Sequence, residues 1–310
     1  MEKMIVLSVN ISEKKGTIKL PVKEISLNNL GVENDAHSGK WHRQVSMLAQ
    51  ESIEKFSKQS DRKINFGEFA ENITTQGIEL HTLNIFDRFK IGEVLLELTQ
   101  IGKECHGTNC AIYKEVGNCV MPKEGIFCRV IKNGTIKAED EIVYIPKVYK
   151  IAIITLSDRA SKGEYADKSG PKIQNLISTF FTEKKQLVEF DYSLIPDDAE
   201  LLHAKINELV FKNIDVIFTT GGTGIGSRDF TIDVVKPLIE KEIPGIMDFI
   251  RYKYGSENPN ALISNAVAGI KGKTMIFTLP GSVKAVNEYV FEITKVLNHL
   301  FLMLNDIDSH

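Results

Sequence analysis

Strand-like and helix-like segments alternate through the second half of the chain, and this alternation constrains the fold more than any other feature. The strand-like stretches are IAIITL (151–156), VEFDYSLI (188–195), DVIFTT (215–220) and TMIFTLP (274–280). The helices that follow them are predicted near GPKIQNLISTFF, from about Asp198, from about Ile232 and over Ser282 to Leu304. Strands that alternate with helices form βαβ units. The sequence therefore predicts an α/β domain with a mainly parallel sheet.

The first half has a different pattern, typical of β structure. Its short alternating apolar stretches are IVLSV (5–9), VLLELTQI (94–101), IFCRVI (126–131) and EIVYI (141–145). One amphipathic helix is predicted over VSMLAQESIEKF (45–56), and Asn133-Gly134 predicts a hairpin between two of the strands. The pattern changes near Ile145-Pro146-Lys147-Val148. We therefore expect two domains, 1–147 and 148–310, of which the first is mostly β.

Composition excludes some classes of partner. The chain has 310 residues, of which 43% are hydrophobic and 25% charged, and a net charge of -3. A dedicated nucleic-acid-binding protein usually has a basic excess, and a membrane span needs about 18–20 apolar residues in a row. The N-terminal residues also lack the pattern of a signal peptide. We expect a cytoplasmic protein with neither a nucleic acid nor a membrane as partner.

Four cysteines lie close together in the sequence, at Cys105, Cys110, Cys119 and Cys128. A cytosolic chain of this size does not need disulfides. A structural zinc site usually shows paired, regular spacing, and these gaps are irregular. Incidental buried thiols, one functional thiol and, less favoured by the spacing, a structural zinc site remain as the alternatives.

A glycine-rich loop follows the strand DVIFTT and consists of Gly221, Gly222, Thr223, Gly224, Ile225 and Gly226. In open parallel sheets, ligands bind at the carboxyl ends of strands. Glycines allow backbone N–H groups to approach an anion closely, so phosphate is the expected ligand. The loop matches neither the Walker A motif nor GxGxxG. A tight turn without a ligand is the alternative.

Two aspartates near strand ends have both structural and functional interpretations. Asp229 could cap a helix, but a carboxylate beside a phosphate loop also favours Mg²⁺, which bridges carboxylates and nucleotide phosphates. Asp197, with Glu200 three residues later, fits a capping box.

Lys284 is predicted in the first turn of a helix, where a bound anion would offset the unfavourable dipole. A solvated lysine is the alternative there.

The second half resembles the molybdopterin adenylyltransferase family, of the Mog and MoaB type also found in gephyrin. The resemblance covers about 148–310 and is carried, in family order, by TLSDRASKGEYADKSGP, LIPDD, TTGGTGIGSRDFT, EIPGI, ISNAVAGI and LPGSVKAV. It implies an α/β fold, commonly a homotrimer, and transfer of AMP from Mg-ATP to molybdopterin with release of pyrophosphate. This activity requires ATP as a substrate and Mg²⁺ as a cofactor.

The same resemblance implies roles for particular residues. The two essential aspartates of the family correspond to Asp197 and Asp229, which would hold Mg²⁺ or orient the attacking phosphate. The backbone of Gly221, Gly222, Thr223 and Gly224 would hold nucleotide phosphates. The remaining residues implied in binding the pterin or a phosphate are Ser157, Asp158, Arg159, Gly281, Ser282 and Lys284.

The first half resembles the MOSC domain, which implies a β-rich, barrel-like fold over about 1–147. The resemblance is carried by GVENDAHSGKWHRQVSMLAQESI, GEFAENITTQGI, IGEVLLELTQIGKECH and MPKEGIFCRVIKNGTIKAEDEI. It implies binding of the molybdenum cofactor around one cysteine, for which Cys105 matches best and Cys110 is the second choice. The thiolate would ligate molybdenum or carry sulfur, and Lys103 or His106 could lower its pKa.

A loop in the first half has two interpretations. The resemblance implies a cofactor-facing loop with His42 and Arg43 near an anion. A metal site formed by Asp35, His37 and His42 is the alternative.

Together the two resemblances imply an enzyme of molybdenum cofactor biosynthesis. A molybdoenzyme or a molybdenum-insertion protein is a possible partner. One alternative is a carrier that binds molybdopterin without catalysis. Another is that the first half is a molybdenum-dependent reductase.

Overall fold

The computed structural model describes residues 3–104 and 119–307. It divides into two compact units: unit 1 comprises Met1–Lys147 with Asp306–His310, and unit 2 comprises Val148–Asn305. Within the described part of the chain, no helix is both long enough and apolar enough to cross a membrane.

Unit 1 consists mainly of short β-strands. The strands are β1 (Ile5–Ile11), β2 (Leu20–Val22), β3 (Glu24–Asn28), β4 (Gly31–Val32), β5 (Val45–Ala49), β6 (Ile73–Gln76), β7 (Arg88–Ile91), β8 (Val94–Ile101), β9 (Ile126–Lys132), β10 (Gly134–Lys137) and β11 (Ile142–Ile145). The described helices are α1 (Gln50–Ser60), a 3-10 turn at Leu80–Thr82 and α2 (Met121–Glu124).

The larger sheet of unit 1 curls until β11, at one end, meets β1, which is next to the last strand at the other end. Its order is β11-β7-β8-β9-β5-β6-β1-β2, and β10-β3-β4 forms a second sheet. The chain around β11 also bonds to β1, since Val6 N donates to Asp140 O at 2.9 Å and Ile142 N donates to Met4 O at 2.9 Å. These bonds close the sheet, so the predicted barrel-like architecture is confirmed.

The helix predicted over 45–56 is wrong in its first half. Val45–Ala49 is a strand, and the helix begins only at Gln50. All five strand residues are buried, because β5 lies inside the sheet between β6 and β9. Val45 and Met47 belong to one apolar core and Leu48 to another. A strand buried on both faces is a continuous apolar run, which periodicity alone does not distinguish from a helix.

The hairpin predicted at Asn133-Gly134 is also wrong. The strand before it, β9, pairs with β5 and β8, whereas β10 after it pairs with β3 in the second sheet. Ile136 of β10 lies opposite Ile25 and is fully buried. The turn therefore sends the chain to the other sheet, where Ile136 fills the core.

Unit 2 has the predicted α/β architecture. Its strands are β12 (Val148–Leu156), β13 (Leu187–Ile195), β14 (Val216–Thr220), β15 (Lys241–Glu242), β16 (Ala268–Lys271) and β17 (Thr274–Leu279). Its helices are α3 (Asp158–Ser161), α4 (Ser169–Glu183), α5 (Ala199–Phe211), α6 (Thr231–Val235), α7 (Pro244–Gly255) and α8 (Val283–Leu304), with 3-10 turns at Lys236–Leu238 and Pro259–Ile263.

The sheet of unit 2 has the order β13-β12-β14-β17-β16-β15. The first four strands are parallel to one another, and β16 is antiparallel to both of its neighbours, β17 and β15, which confirms a mainly parallel sheet. The carboxyl ends of parallel strands share one edge. The glycine loop after β14 therefore lies between the loops that follow β12 and β17.

Candidate functional site

The carbonyl groups of Gly221–Gly224 are all held by two residues from outside the loop. Thr231 donates from its hydroxyl and its backbone N–H to the first two carbonyls, at 2.8 and 3.1 Å. Asn265 donates from its backbone N–H and its side-chain amide to the next two, at 3.0 and 3.2 Å. The C=O and N–H of a planar trans peptide point in opposite directions. The N–H groups that follow these carbonyls therefore point away from Thr231 and Asn265.

These N–H groups are available to a ligand. Within the described residues, no acceptor takes the N–H of Gly222, Thr223 or Gly224, whereas the N–H of Gly221 donates to Leu279 O at 3.0 Å. Successive N–H groups that face one side form an anion-binding concavity. Of the four residues predicted to hold phosphate through their backbone, Gly222, Thr223 and Gly224 each offer a free N–H group and Gly221 does not.

Glycine is required at the first two positions of the loop. Gly221 has φ of +108°, and a Cβ there would lie 2.5 Å from the backbone oxygen of Leu156. Gly222 has φ of +64°, and a Cβ would lie 2.5 Å from Thr231 Oγ1. A side chain at either position would combine an unfavourable backbone conformation with a steric clash.

Asp229 lies against the glycine loop and does not cap a helix. Its Oδ2 accepts from Gly226 N at 2.9 Å. The residue at the N-cap position of α6 is Phe230, which makes no side-chain cap. The capping interpretation of Asp229 is therefore wrong. The position of a Cβ on Gly224 would be 2.6 Å from Asp229 Oδ2, so the carboxylate and the loop backbone are in direct contact.

The glycine loop and Asp229 form one side of a pocket of about 400 Å³. The predicted residues that line it are Gly221, Gly222, Thr223, Gly224, Asp229, Gly281, Ser282 and Lys284. Ser282 also caps α8, because its Oγ accepts from Ala285 N at 3.2 Å. Lys284 lies in the first turn of α8 as predicted, and its Nζ is 3.8 Å from a carboxylate oxygen of Glu288, another lining residue.

The charges in the pocket favour a ligand that brings its own cation. The lining includes one lysine, Lys284, and two carboxylates, Asp229 and Glu288. A polyphosphate would be repelled by these carboxylates unless a cation lay between them. Mg²⁺ typically takes one or two protein carboxylates together with phosphate oxygens and water. The donor set around Asp229 therefore fits a metal carried by a nucleotide.

The other predicted residues of unit 2 form a second group at the same edge of the sheet. Asp197 and Asp158 are linked reciprocally: Asp158 N donates to Asp197 Oδ2 at 3.3 Å, and Asp197 N donates to Asp158 Oδ1 at 3.0 Å. Arg159 lies over the ring of Tyr165 at 5.3 Å, and the hydroxyls of Tyr165 and Ser157 are 2.9 Å apart. None of the predicted residues in this group lines the pocket that contains Asp229.

The capping interpretation of Asp197 is wrong as well. Asp198 is the N-cap of α5, and its Oδ1 accepts from Leu201 N at 2.9 Å. The Asp197 carboxylate instead faces the loop after β12. The edge strand β13, which leads to Asp197, is separated from β14 by β12.

Asp167 is a positioning residue that the sequence did not single out. Its carboxylate accepts from Thr155 Oγ1 and Tyr192 OH, both at 2.8 Å, and from the N–H groups of Ser169 and Gly170. Burial, together with the hydrogen bond to Asp167, raises the pKa of Tyr192 to about 12. Ser169 Oγ in turn donates to Gly281 O at 2.7 Å. Asp167 thus ties the start of α4 to two strands, and α4 holds the loop that leads into α8.

In unit 1, Lys19 and Asp35 form a buried ion pair, with both side chains 1% exposed. His37 Nδ1 lies 3.4 Å from Asp35 Oδ1. Burial alone would raise the pKa of Asp35, but hydrogen bonds from His37 and Lys19 lower it well below its ordinary value. Across residues 3–104 and 119–307, no three His, Cys, Asp or Glu side chains converge as metal ligands. The carboxylate that the metal alternative needs is paired with Lys19.

The loop beside this ion pair presents cations around an aromatic ring. Arg43 lies 4.7 Å and Lys15 5.9 Å from the ring centre of Trp41. The indole N–H donates to His37 O at 2.9 Å, and His42 O accepts from Thr99 Oγ1 at 2.6 Å. Arg43 and Lys15 make this a surface suited to an anion.

The predicted functional thiols lie outside the described residues. They are Cys105 and Cys110, and His106, which was predicted to act on the thiol, lies outside the described residues as well. Cys128 is fully buried in the apolar core, with its Sγ 3.7 Å from Met47 Sδ. Burial raises the pKa of the Cys128 thiol, so it remains protonated and unreactive.

Glu71, close to Lys19, should make the stability of unit 1 depend on pH. It is fully buried, and one carboxylate oxygen accepts from Gly67 N at 2.6 Å and Thr74 Oγ1 at 3.0 Å. Burial raises the pKa of Glu71 above its ordinary value of 4.5. Its contribution to stability is therefore complete below that value and is lost as the pH rises through the folded-state pKa.

The variant Glu71→Gln tests this. We expect the melting temperature of the wild type to fall by a few degrees more than that of the variant between about pH 5 and pH 9, since about 1 kcal/mol corresponds to about 2–4 °C at this size. Thermal unfolding followed by circular dichroism measures both curves. Parallel curves would show that Glu71 does not change its ionisation on folding.

Comparison with known proteins finds a different family in each of the two units. Residues 152–299 match the family described as a probable molybdopterin binding domain, and residues 34–143 match the MOSC domain. The chain is 36% identical over 167 residues to molybdenum cofactor biosynthesis protein B of Staphylococcus carnosus, covering 53% of this chain and 95% of that protein. The chain belongs to the family of molybdenum cofactor biosynthesis protein B. Unit 2 carries the match to the probable molybdopterin binding domain, called the molybdopterin-binding domain below, and unit 1 carries the match to the MOSC domain.

Two further relatives align with the molybdopterin-binding domain. Gephyrin of Dictyostelium discoideum is 32% identical over 163 residues, which are 50% of this chain and 22% of gephyrin. The solved structure of the tungsten cofactor synthesizing protein MoaB from Pyrococcus furiosus is 36% identical, with a TM-score of 0.44, and the match covers 52% of this chain and 98% of that protein.

Proposed function

We propose that the chain acts in molybdenum cofactor biosynthesis and that its molybdopterin-binding domain transfers AMP from ATP to molybdopterin. A terminal phosphate oxygen of molybdopterin would attack the α-phosphorus of ATP, a new P–O bond would form, and pyrophosphate would leave. One observation carries the proposal: the free N–H groups of the glycine loop, Asp229 and Lys284 all face one pocket.

The glycine loop would bind phosphate oxygens without having to rearrange. Thr231 and Asn265 already fix its four carbonyls, so the N–H groups of Gly222, Thr223 and Gly224 are oriented before a ligand arrives. Donors fixed in advance stabilise developing charge more than mobile ones do. Lys284 and the first turn of α8 add positive charge on the facing wall.

Asp229 would be the main ligand of Mg²⁺, because its carboxylate touches the loop that holds the phosphates. When bound, Mg²⁺ neutralises charge on the reacting phosphates. Asp197 would act from the neighbouring group at the same edge, where it is already linked to Asp158. Ser157, Asp158 and Arg159 would bind the part of the substrates that lies beyond the pocket.

The test is to incubate the full chain with Mg-ATP and molybdopterin. We expect release of pyrophosphate and an adenylylated pterin detected by mass spectrometry, neither of which should appear without molybdopterin. Pterin binding without pyrophosphate release would overturn the proposal and identify a carrier instead. The resemblance of this domain also supports a homotrimer, which light scattering of the full chain tests.

We propose further that the MOSC domain binds the molybdenum cofactor or an anionic derivative of it. The support comes from the loop that carries Trp41 and Arg43, whose base is fixed by the buried pair of Lys19 and Asp35. Cys105, with Cys110 as the second choice, would supply the thiolate. With these groups the MOSC domain would receive the product of the molybdopterin-binding domain.

The cysteine assignment is tested by Cys105→Ser, with Cys110→Ser as the matched control. We expect the first variant, after incubation with molybdenum cofactor and gel filtration, to retain at most about a tenth of the molybdenum that the wild type retains, because a metal–thiolate bond is lost. Metal analysis of the eluted protein measures this. Equal retention by wild type and Cys105→Ser would contradict the assignment. Reduction of N-hydroxylated compounds by the loaded protein would instead favour the reductase alternative.

A further inference from the structure

The pocket in unit 2 has a second wall that phosphate binding does not use. It comes from the 3-10 turn Pro259–Ile263 with its flanks, and from the second turn of α8. The lining residues of this wall are Asn258, Asn260, Ala261, Ile263, Ser264, Glu288 and Tyr289. The wall faces a pocket whose other side carries the groups suited to phosphate, so it lies where the rest of a phosphorylated ligand must go.

Glu288 is the charged group of this wall. Its side chain is 19% exposed, and its closest cation is Lys284, at 3.8 Å. That distance is too long for a hydrogen bond. Within the described residues, no hydrogen bond reaches the Glu288 carboxylate, so both of its oxygens remain available as acceptors to a ligand.

An ionised carboxylate accepts hydrogen bonds and donates none. Its two oxygens match a ring edge that presents two N–H donors side by side. The aminopyrimidinone edge of a pterin has this pair, a ring N–H beside an exocyclic amino group, and guanine has the same pair. The corresponding edge of adenine offers one donor and one acceptor, so it satisfies only half of the carboxylate.

We propose that Glu288 binds the aminopyrimidinone edge of a pterin, and that this pocket therefore receives the pterin substrate in preference to the adenine of the nucleotide. The proposal rests on the proposed function and specifies which substrate this part of the site selects. The size of the pocket is consistent with this proposal. Its volume of about 400 Å³ lies near the lower end of the range for small-molecule sites and suits one ring system.

The remaining residues of the wall suit a flat heterocycle. Tyr289 is 2% exposed, and its hydroxyl donates to Ser264 Oγ at 3.0 Å, so the ring is held in one position. Ile263 and Ala261 add apolar contact, and the Asn260 side chain supplies an amide donor and acceptor, whereas Asn258 Oδ1 already accepts from Asn260 N at 3.3 Å. Tyr289 therefore fixes the base of the wall, and Ile263 and Ala261 would contact a face of the heterocycle while Glu288 binds its edge.

The test uses the fluorescence of 6-hydroxymethylpterin monophosphate as the binding probe and nucleoside monophosphates as competitors. GMP should displace the probe from the wild type at lower concentration than AMP, by about 5- to 150-fold, as for a paired contact with a base edge. IMP, which has the ring N–H but lacks the amino group, should lie between them. Glu288→Gln should weaken binding of the probe by at least about tenfold and remove the preference for GMP.

Two controls separate recognition of the ring from other effects. Glu257→Gln removes a carboxylate next to Asn258 in the chain but outside the pocket lining, and should bind the probe as the wild type does. Binding of inorganic pyrophosphate should not be weakened in Glu288→Gln, because the glycine loop is unchanged. Equal displacement by GMP and AMP in the wild type, or unchanged probe affinity in Glu288→Gln, would overturn the inference.

The two proposals fail in different ways. If no pyrophosphate is released by the wild type while probe binding still depends on Glu288, the transferase proposal fails and pterin recognition stands. If pyrophosphate is released and probe binding does not depend on Glu288, the inference fails and the transferase proposal stands.

Discussion

Replacing Asp229 by asparagine should lower the rate of pyrophosphate release by at least about 100-fold while leaving the fold intact, since loss of a single group that stabilises reacting charge typically costs about 10²–10³ in rate. Asparagine keeps the shape of the side chain and an oxygen that can accept from Gly226 N, as Oδ2 of Asp229 does at 2.9 Å. It removes the negative charge that would hold the cation against the glycine loop. Steady-state release of pyrophosphate at saturating Mg-ATP and molybdopterin measures the loss.

Asp233→Asn is the matched control. Asp233 is exposed in the first turn of α6, four residues after Asp229, and it does not line the pocket. Its replacement removes one negative charge near the start of α6, as Asp229→Asn does. A general electrostatic effect would therefore appear in both variants. Equal rates for the wild type and Asp229→Asn would remove Asp229 from the mechanism.

The architecture of unit 2 could be predicted because its signals are local. The alternation of strands and helices depends on residues that are neighbours in the sequence, including the caps Asp198 and Ser282 at the starts of α5 and α8.

The two wrong predictions in unit 1 have the opposite origin. Val45–Ala49 is a strand because β6 and β9 lie on either side of it, and β10 leaves β9 because β3 offers a partner. Both outcomes depend on strands distant in sequence.

The candidate site, like the fold, could be predicted only where its signals are local in the sequence. The glycine loop and Asp229 are close in sequence, and a carboxylate beside a phosphate loop already indicates a cation. The hydrogen bonds that orient the loop could not be predicted, since Asn265 lies 41 residues from Gly224 in the chain. Glu288 also carries no local signal, because an i,i+4 pair with Lys284 is typical of any exposed helix.

Gly224→Ala should abolish most of the activity without unfolding the protein, because the new methyl group would meet Asp229. A Cβ on Gly224 would lie 2.6 Å from Asp229 Oδ2 and 3.1 Å from Asp229 Cγ. The obstacle is the end of a side chain, so the carboxylate can move aside while the backbone stays. A displacement of about 1 Å at a reacting group costs about 100-fold in rate, and we expect a loss of that size.

Gly245→Ala is the control for this variant, since a Cβ on Gly245 would meet nothing within 4 Å. Its rate should equal that of the wild type. Gly221→Ala provides the contrast, because its Cβ would meet the backbone oxygen of Leu156 at 2.5 Å and its φ is +108°. That variant should lower the melting temperature, whereas Gly224→Ala should not.

The double variant Gly224→Ala/Asp229→Asn decides whether Gly224 acts through Asp229. Two residues that act through one contact are not additive. If the methyl group matters only because it displaces the carboxylate, the double variant should release pyrophosphate no more slowly than Asp229→Asn alone. A further loss of about 100-fold in the double variant would mean that the loop contributes independently of Asp229, through the N–H groups that Thr231 and Asn265 orient.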